Sequence, residues 1–130
     1  MFATFIDKYQ PAVIIKFPTE CGTYDQKLFD EYLRTFRALY DRGECFNILI
    51  DGRDVKSFPP SYILQHGLFL AKYKKLTAEY IKKSAVICGP TMEKCLNLLF
   101  SVYTPESDMI VTQDFREGLI HVLDKEKRTK

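Results

Sequence analysis

Acidic and basic side chains follow a short apolar run in the first half of the chain. Residues 46–51 are mostly apolar and end in Asp51, and Arg53 and Asp54 come directly afterwards. A carboxylate at the end of a buried strand could orient a ligand, bind a cation or accept hydrogen bonds from its own loop. No partner group nearby in the sequence defines a reaction with either acid. The pattern therefore favours a turn-shaping role for Asp51 and Asp54 over a catalytic one.

The same loop continues through two serines and an aromatic residue. Ser57 and Phe58 precede two consecutive prolines, and Ser61 follows them. Prolines are tolerated at a helix start, where serines usually act as caps and where a phosphate would meet favourable electrostatics. The sequence thus predicts one interaction or ligand loop, whose candidate residues are Asp51, Arg53, Asp54, Ser57, Phe58 and Ser61.

A second candidate lies at the junction of residues 88–91, where a short apolar run ends in Gly89. The helix expected from Thr91 could bind an anion through its free backbone amides. However, Pro90 removes one amide donor, and neither glycine-rich nucleotide-binding motif is present. Gly89 and Thr91 are the candidate anion site, and a nucleotide-binding or enzymatic use of this junction together with Asp51 is kept as an alternative.

A third candidate is a group of lysines in the second half of the chain, interleaved with tyrosines. Such residues can bind phosphate groups, on RNA or on lipid head groups. They also form ordinary solvated helix faces, where lysine stems cover apolar surface. The candidate basic patch consists of Lys72, Lys74, Lys75, Lys82 and Lys83.

Bulk properties limit the classes of protein to which the chain can belong. Its 130 residues fit a single domain, and 46% hydrophobic with 28% charged residues is ordinary for a soluble globular protein. A formal charge of +2 gives no reason to expect nucleic acid as a partner. The sequence shows neither a signal peptide nor a long apolar run, so we expect a cytoplasmic protein. Residues 125–130 are expected to form a solvated tail.

The cysteine and histidine pattern does not predict a metal or a cofactor. Four cysteines are spread along the chain without a C-x-x-C pair, and both histidines lie far from any cysteine. Zinc sites generally need closer ligand pairs. We expect free thiols, with Cys88 and Cys95 buried as small hydrophobic residues.

Apolar runs, and the turn and cap residues that bound them, predict the strands and helices that position these candidates. Strands are expected over residues 2–6, 12–17, 46–51, 84–88 and 109–112. Helices are expected over residues 24–42, from the prolines at 59–60 to 83, from 91 to 103, and from 114 onward. The fold class is therefore α/β: a single-domain mixed sheet of about five strands covered by about four helices, in the order ββαβαβαβα.

Details of three helices follow from their residue patterns. The first has a capping box that begins at Thr23, a broad aromatic stripe expected in the core, and Gly43 at its left-handed end. Asp114 is expected to cap the last helix. The second helix is expected to direct one apolar set toward the sheet, namely Ile63, Leu64, Gly67, Leu68 and Ala71.

Three stretches together resemble the STAS family, in particular its divergent STAS/Sec14-like branch related to anti-sigma-factor antagonists. They are residues 46–51 with Val55, residues 84–87, and residues 110–119. The resemblance implies a small mixed α/β interaction module. In the antagonists, a Ser or Thr that starts the helix after the central strand is phosphorylated by a partner kinase. Ser61 is closest to that position here, and prolines replace the usual acidic-Ser pair. The Sec14-like relationship implies a small apolar or lipid ligand instead.

The sequence therefore predicts a non-enzymatic, regulatory interaction module. It would bind a protein partner through the loop and helix that follow the central strand. The first alternative is binding of a lipid or phosphoinositide head group by the residue 72–83 lysines. The second is a nucleotide-binding protein or enzyme. No nucleic-acid partner is expected, and the oligomeric state is left open.

Overall fold

The computed structural model describes residues 2–18, 25–56, 58–101, 103–105 and 108–123. Its strands are β1 Thr4–Tyr9, β2 Ala12–Lys16, β3 Phe46–Gly52, β4 Ile81–Cys88 and β5 Asp108–Thr112. Its helices are α1 Gln26–Tyr40, α2 Pro60–Lys72, α3 Lys74–Tyr80, α4 Pro90–Leu99 and α5 Phe115–Leu123. The predicted Thr23 cap and the predicted tail at 125–130 lie outside the described residues.

The five strands form one mixed sheet in the order β1-β2-β3-β4-β5. β1 pairs antiparallel with β2, and each of the other neighbouring pairs is parallel. This arrangement confirms the predicted fold class, including the central place of β3. Five helices are present among the described residues instead of about four, because the second predicted helix divides at Tyr73 and its last residues begin β4.

The helices divide unequally between the two faces of the sheet. Right-handed crossovers between parallel strands that follow one another in space place every connecting helix on the same side. In agreement, α1 to α4 all pack on one face, which we call the aromatic face because its core is rich in Phe and Tyr. We call the other the aliphatic face; its buried residues are Ala12, Ile14, Leu49, Ala85, Ile87 and, from α5, Val122.

The helix ends partly follow the predicted punctuation. α1 begins after Asp25, whose carboxylate accepts hydrogen bonds from the backbone amides of Lys27 and Leu28. Gly43 adopts a φ of 72°, the left-handed conformation expected of the glycine beyond this helix. Asp114 caps α5 by accepting from the Arg116 amide at 2.9 Å, as predicted. Thr91, expected to be a cap, instead lies inside the first turn of α4, because the helix starts at Pro90.

The rotation of α2 about its axis differs from the prediction. Its buried residues are Tyr62, Ile63, His66, Gly67 and Leu70. Leu64 is therefore only half-buried, and Leu68 and Ala71 are exposed, so their predicted inward orientation is wrong. Apolar residues occur almost all round this helix, so their spacing does not select one face. The packing of two aromatic rings, Tyr62 and His66, decides the orientation instead.

A buried amide side chain joins three elements on the aliphatic face. Asn47 donates from Nδ2 to the Val122 carbonyl at 2.7 Å, near the end of α5. Its Oδ1 accepts from the backbone amide of Lys83 at 3.0 Å, where the pairing of β3 with β4 is irregular. Both ends of the amide are thereby satisfied, as a buried polar group requires.

Candidate functional site

Asp51 lies at the carboxyl end of the central strand, and its side chain is only 4% exposed. It accepts two parallel hydrogen bonds from Arg53, one from Nε at 3.0 Å and one from Nη2 at 2.9 Å. The Arg53 backbone amide also donates to the same carboxylate at 3.3 Å. Such bidentate, charge-assisted pairs fix geometry more strongly than single bonds do. Asp51 is therefore committed to shaping its own loop, as the turn-shaping interpretation predicts.

Two more contacts extend this arrangement, and we call Lys16, Asp51, Arg53 and Asp54 the Asp51 cluster. The Lys16 ammonium lies 3.7 Å from the Asp51 carboxylate and 3.6 Å from that of Asp54. The Arg53 guanidinium lies over the Phe115 ring, 4.5 Å from its centre, and so connects the loop to α5. The hydrogen bond to Asp51 raises the pKa of Arg53 above its ordinary value.

The remaining loop candidates point in different directions. Phe58 is half-buried and packs edge-on against Phe17 and Phe2, with ring centres 5.5 and 5.6 Å apart. Ser61 is exposed in the first turn of α2, whose N-cap residue is Pro59 and has no side-chain hydrogen bond. Ser61 is thus not the cap. Ser57 lies outside the described residues.

The candidate anion site lies at the same edge of the sheet, beside the loop. A Cβ built on Gly89 would lie 3.1 Å from the Arg53 carbonyl oxygen, so that oxygen faces the start of α4. An acceptor in this position disfavours an anion. Thr91 is half-buried. Burial raises the pKa of the Cys88 and Cys95 thiols, which is the opposite of what a reactive cysteine needs.

The candidate basic patch lies elsewhere. Lys72, Lys74 and Lys75 flank the junction of α2 and α3, whereas Lys82 and Lys83 stand at the start of β4. All of these positions belong to the amino edge of the parallel strands, away from the loop. The seven-residue α3, about 10 Å long, separates the two lysine groups. The Lys72 ammonium lies over the Tyr73 ring, 5.4 Å from its centre.

A cavity between the sheet and the helices of the aromatic face is a feature that the sequence did not indicate. It has a volume of about 90 Å³ and lies under α2 and α4. Among the described residues of its wall, most are apolar and four buried ones carry a side-chain nitrogen or oxygen atom, namely His66, Thr77, Ser84 and Tyr103. Phe58 of the loop and Met92, which packs against Gly52, also line it. The cavity therefore reaches the candidate loop at one end and the start of β4 at the other.

His66 is the unusual residue of this wall. Its Nε2 lies 2.6 Å from the Tyr32 hydroxyl, whereas Nδ1 has no hydrogen-bond partner. Among the described residues, this nitrogen is the one buried side-chain nitrogen or oxygen atom left unpaired. Burial lowers the pKa of His66 to about 4, so the ring is neutral near pH 7. A histidine within an apolar helix is the sequence signal that could have drawn attention to this site.

Comparisons of this chain with known proteins found no match. No protein-family model matches the chain, and neither a curated protein nor a solved structure matches it. Within the described part of the chain, no group of three or more His, Cys, Asp or Glu side chains is placed to hold a metal ion. The helices described here are also too short or too polar to cross a membrane.

Proposed function

We propose that this protein is a non-enzymatic, STAS-like interaction module, which binds a protein partner through residues 52–61 and the outward side of α2. The observation that carries the proposal is the Asp51 cluster, which holds the base of this loop at the carboxyl end of the central strand. Loops in this position commonly carry function in open α/β sheets. The resemblance of the sequence to STAS domains supports the same use.

The loop is held before any partner arrives. Its base is fixed by the paired hydrogen bonds between Arg53 and Asp51, and Val55 is buried. Its exposed side chains include Arg53, Asp54 and Lys56, which offer both signs of charge. A loop whose base is already held loses less conformational entropy when it binds. The arrangement therefore suits recognition by a rigid surface.

The outward side of α2 adds apolar area along the helix that follows the loop. Leu68 is 61% exposed, and the exposed Ala71 and half-buried Leu64 lie beside it at helical spacing. An apolar ridge rimmed by charged residues is the usual composition of a contact surface. In this proposal the ridge supplies most of the affinity, and the charged loop supplies orientation.

Capture of a partner from native lysate by tagged protein, followed by mass spectrometry and affinity measurement, tests the proposal. We expect Leu68→Asp to weaken partner binding at least tenfold, because it places a charge in the apolar ridge. Arg53→Glu should weaken it as well, because it reverses one charge of the loop and removes the paired hydrogen bonds to Asp51 that hold the base of the loop. Ser61→Glu reports on whether charge at the start of α2 controls binding.

The chain provides a matched control. Ile120 on α5 is also 61% exposed but belongs to the helix that covers the aliphatic face. Ile120→Asp should leave partner binding unchanged. If the partner binds all three loop and helix variants as tightly as the natural protein, the proposed surface is wrong. If only Lys72→Glu with Lys75→Glu reduces binding, recognition occurs at the basic patch instead.

A further inference from the structure

We propose that two copies of this chain associate edge to edge, with the β5 strand of each pairing antiparallel with the β5 strand of the other about a two-fold axis. The pairing would join the two five-stranded sheets into one continuous sheet. This inference does not depend on the protein partner proposed above.

One edge of the sheet, β1, is protected against such pairing. It carries the exposed charges of Asp7 and Lys8, and Arg42 donates to the Asp7 carboxylate. Its pairing with β2 is also irregular between Ile6 and Tyr9. Charged side chains and irregular pairing are the devices by which natural sheets keep an edge strand from pairing with another chain. A second copy is therefore not expected at β1.

The opposite edge, β5, carries a charged residue only at its first position, Asp108. The strand continues through Met109, Ile110, Val111 and Thr112, and its pairing with β4 is regular over its whole length. Val111 is 48% exposed, and none of the described strands pairs with the outer side of β5. A regular, mostly β-branched strand with an open side is a template for one more strand.

The alternation of side chains limits where the two-fold axis can lie. Met109 packs toward the aromatic face and Ile110 toward the aliphatic face. Residues opposite each other in an antiparallel pair point to the same face, so the axis must pass through a residue and not between two. The possible centres of β5 are therefore its interior residues.

An axis at Ile110 uses the strand best. Asp108 then lies opposite Thr112 of the other copy, Met109 lies opposite Val111, and Ile110 lies opposite its own copy, so every residue of β5 is paired within β5. An axis one residue to either side leaves the two residues at one end of the strand without a β5 partner. The Ile110 register also covers the exposed Val111 with an apolar side chain, as cross-strand pairs favour.

The same register brings unlike groups of α5 together. Within one chain, His121 donates from Nε2 to the Asp108 carbonyl at 3.1 Å, and the Thr112 hydroxyl donates to the Glu117 carboxylate. Because Asp108 of one copy lies opposite Thr112 of the other, His121 of one copy comes toward Glu117 of the other. The axis produces this imidazole–carboxylate pair twice, so the charges across the interface are complementary.

The association stops at two copies. A two-fold interface uses the same strand of both partners and leaves only the two protected β1 edges outside. A closed dimer is thus expected and not a filament. The paired edge is short, which places the interface among the small, reversible ones, with a dissociation constant of roughly tens of micromolar.

Sedimentation velocity at concentrations from about 1 to about 300 µM tests the association, since this range spans the expected dissociation constant. The natural protein should change reversibly from monomer to dimer. Val111→Lys should weaken the dimer at least tenfold, because a lysine on an edge strand opposes pairing. Glu117→Lys, at an exposed position of α5, should weaken it several-fold by removing the complementary charge, and it carries the test if Val111→Lys does not fold.

Two exposed apolar residues elsewhere provide matched controls. Tyr9 is 40% exposed on β1, and Ile120 is 61% exposed on α5. Tyr9→Lys and Ile120→Asp should both dimerise as the natural protein does. Loss of the dimer in either control, with Val111→Lys unaffected, would place the interface elsewhere and overturn the inference.

The register has its own measurement. In a mixture of ¹³C-labelled and unlabelled protein, isotope-filtered NOEs detect only contacts between copies. We expect such NOEs between the Val111 methyls and the Met109 methyl, and between the Ile110 side chains of the two copies. NOEs between copies that involve Leu68 or Ile120 instead would refute the pairing of β5 with β5.

A chain that remains monomeric at every concentration would overturn the inference, and so would a dimer that persists unchanged in both Val111→Lys and Glu117→Lys. The proposed partner surface is tested separately, because Leu68 and Arg53 belong to neither β5 nor α5. Leu68→Asp should still dimerise, and Val111→Lys should still capture the partner. Failure of either proposal therefore leaves the other standing.

Discussion

The two faces of the sheet are covered in contrasting ways. Four helices and a network of aromatic rings cover the aromatic face, yet a cavity remains beneath them. Among the described helices only α5 covers the aliphatic face, where a Cβ at Gly118 would come within 2.3 Å of the Ile87 side chain. Each face has a close glycine contact, because a Cβ at Gly52 would likewise come within 2.3 Å of the Met92 side chain on the aromatic face. The faces differ in the cavity, whose described lining residues include none of the buried residues of the aliphatic face.

The largest effect is expected from removing a ring of the aromatic face. Phe29 is fully buried and stacks on Tyr62, with ring centres 4.6 Å apart. Phe29→Ala should lower the free energy of unfolding by about 3–5 kcal/mol, as measured by urea denaturation. Leu68→Ala, on the exposed side of α2, should change it by less than about 0.5 kcal/mol. Similar losses in both variants would show that the rings do not hold this face together.

The buried histidine should make the aromatic face sensitive to acid. His66 has its pKa lowered from 6.5 to about 4 by burial, so the unfolded chain takes up this proton at a higher pH than the folded protein does. The contribution of neutral His66 to the free energy of unfolding is therefore fully present above pH 6.5 and is lost as the pH falls toward 4. The loss is about 3 kcal/mol.

Urea denaturation at several pH values, compared between the natural protein and His66→Gln, isolates this contribution from that of the carboxylates. The natural protein should lose more stability than the variant between pH 6.5 and 4. Parallel curves for the two proteins would mean that folding does not change the pKa of His66.

A larger side chain on the aliphatic face should lower the free energy of unfolding. Gly118→Val would push atoms into the fully buried Ile87 and toward Leu49, and should cost about 2 kcal/mol of unfolding free energy. Ile120→Val, on the exposed side of the same helix, serves as the control. If Gly118→Val leaves the free energy of unfolding unchanged, the aliphatic face can accommodate the added side chain. The close contact at Gly118 would then not distinguish this face.

The smallest effect, a gain in stability, is expected from filling part of the cavity. Cys95→Leu adds apolar volume to the cavity wall and should raise the unfolding free energy by about 0.5–1 kcal/mol. Thermal denaturation at pH 7 measures the gain. A destabilising Cys95→Leu would mean that the space closes in solution.

Much of the fold could be predicted from the sequence, because apolar runs bounded by glycine and proline mark strands locally. The central place of β3 followed from the alternation of strands and helices around it. The pairing of Asp51 with Arg53 could also have been predicted, since side chains two residues apart project to the same side of an extended chain. The predicted loop contained both residues without assigning them to each other.

Other features depend on contacts between distant residues. The rotation of α2 could not be read from a helix with apolar residues nearly all round. The end of α2 at Tyr73 carries neither a proline nor a glycine to mark it. The cavity under α2 and α4 results from the volumes of side chains brought together from most of the chain, and His66 acquires its unpaired nitrogen only in that packing.

Asn47 has a consequence for how the chain assembles. One oxygen of this residue completes the pairing of β4 at Lys83, and its nitrogen holds the last turn of α5. If β4 slipped by one residue, the side chain would be drawn to a different amide and could not hold α5 in the same place. Correct alignment of two interior strands is thereby a condition for the position of α5 on the sheet.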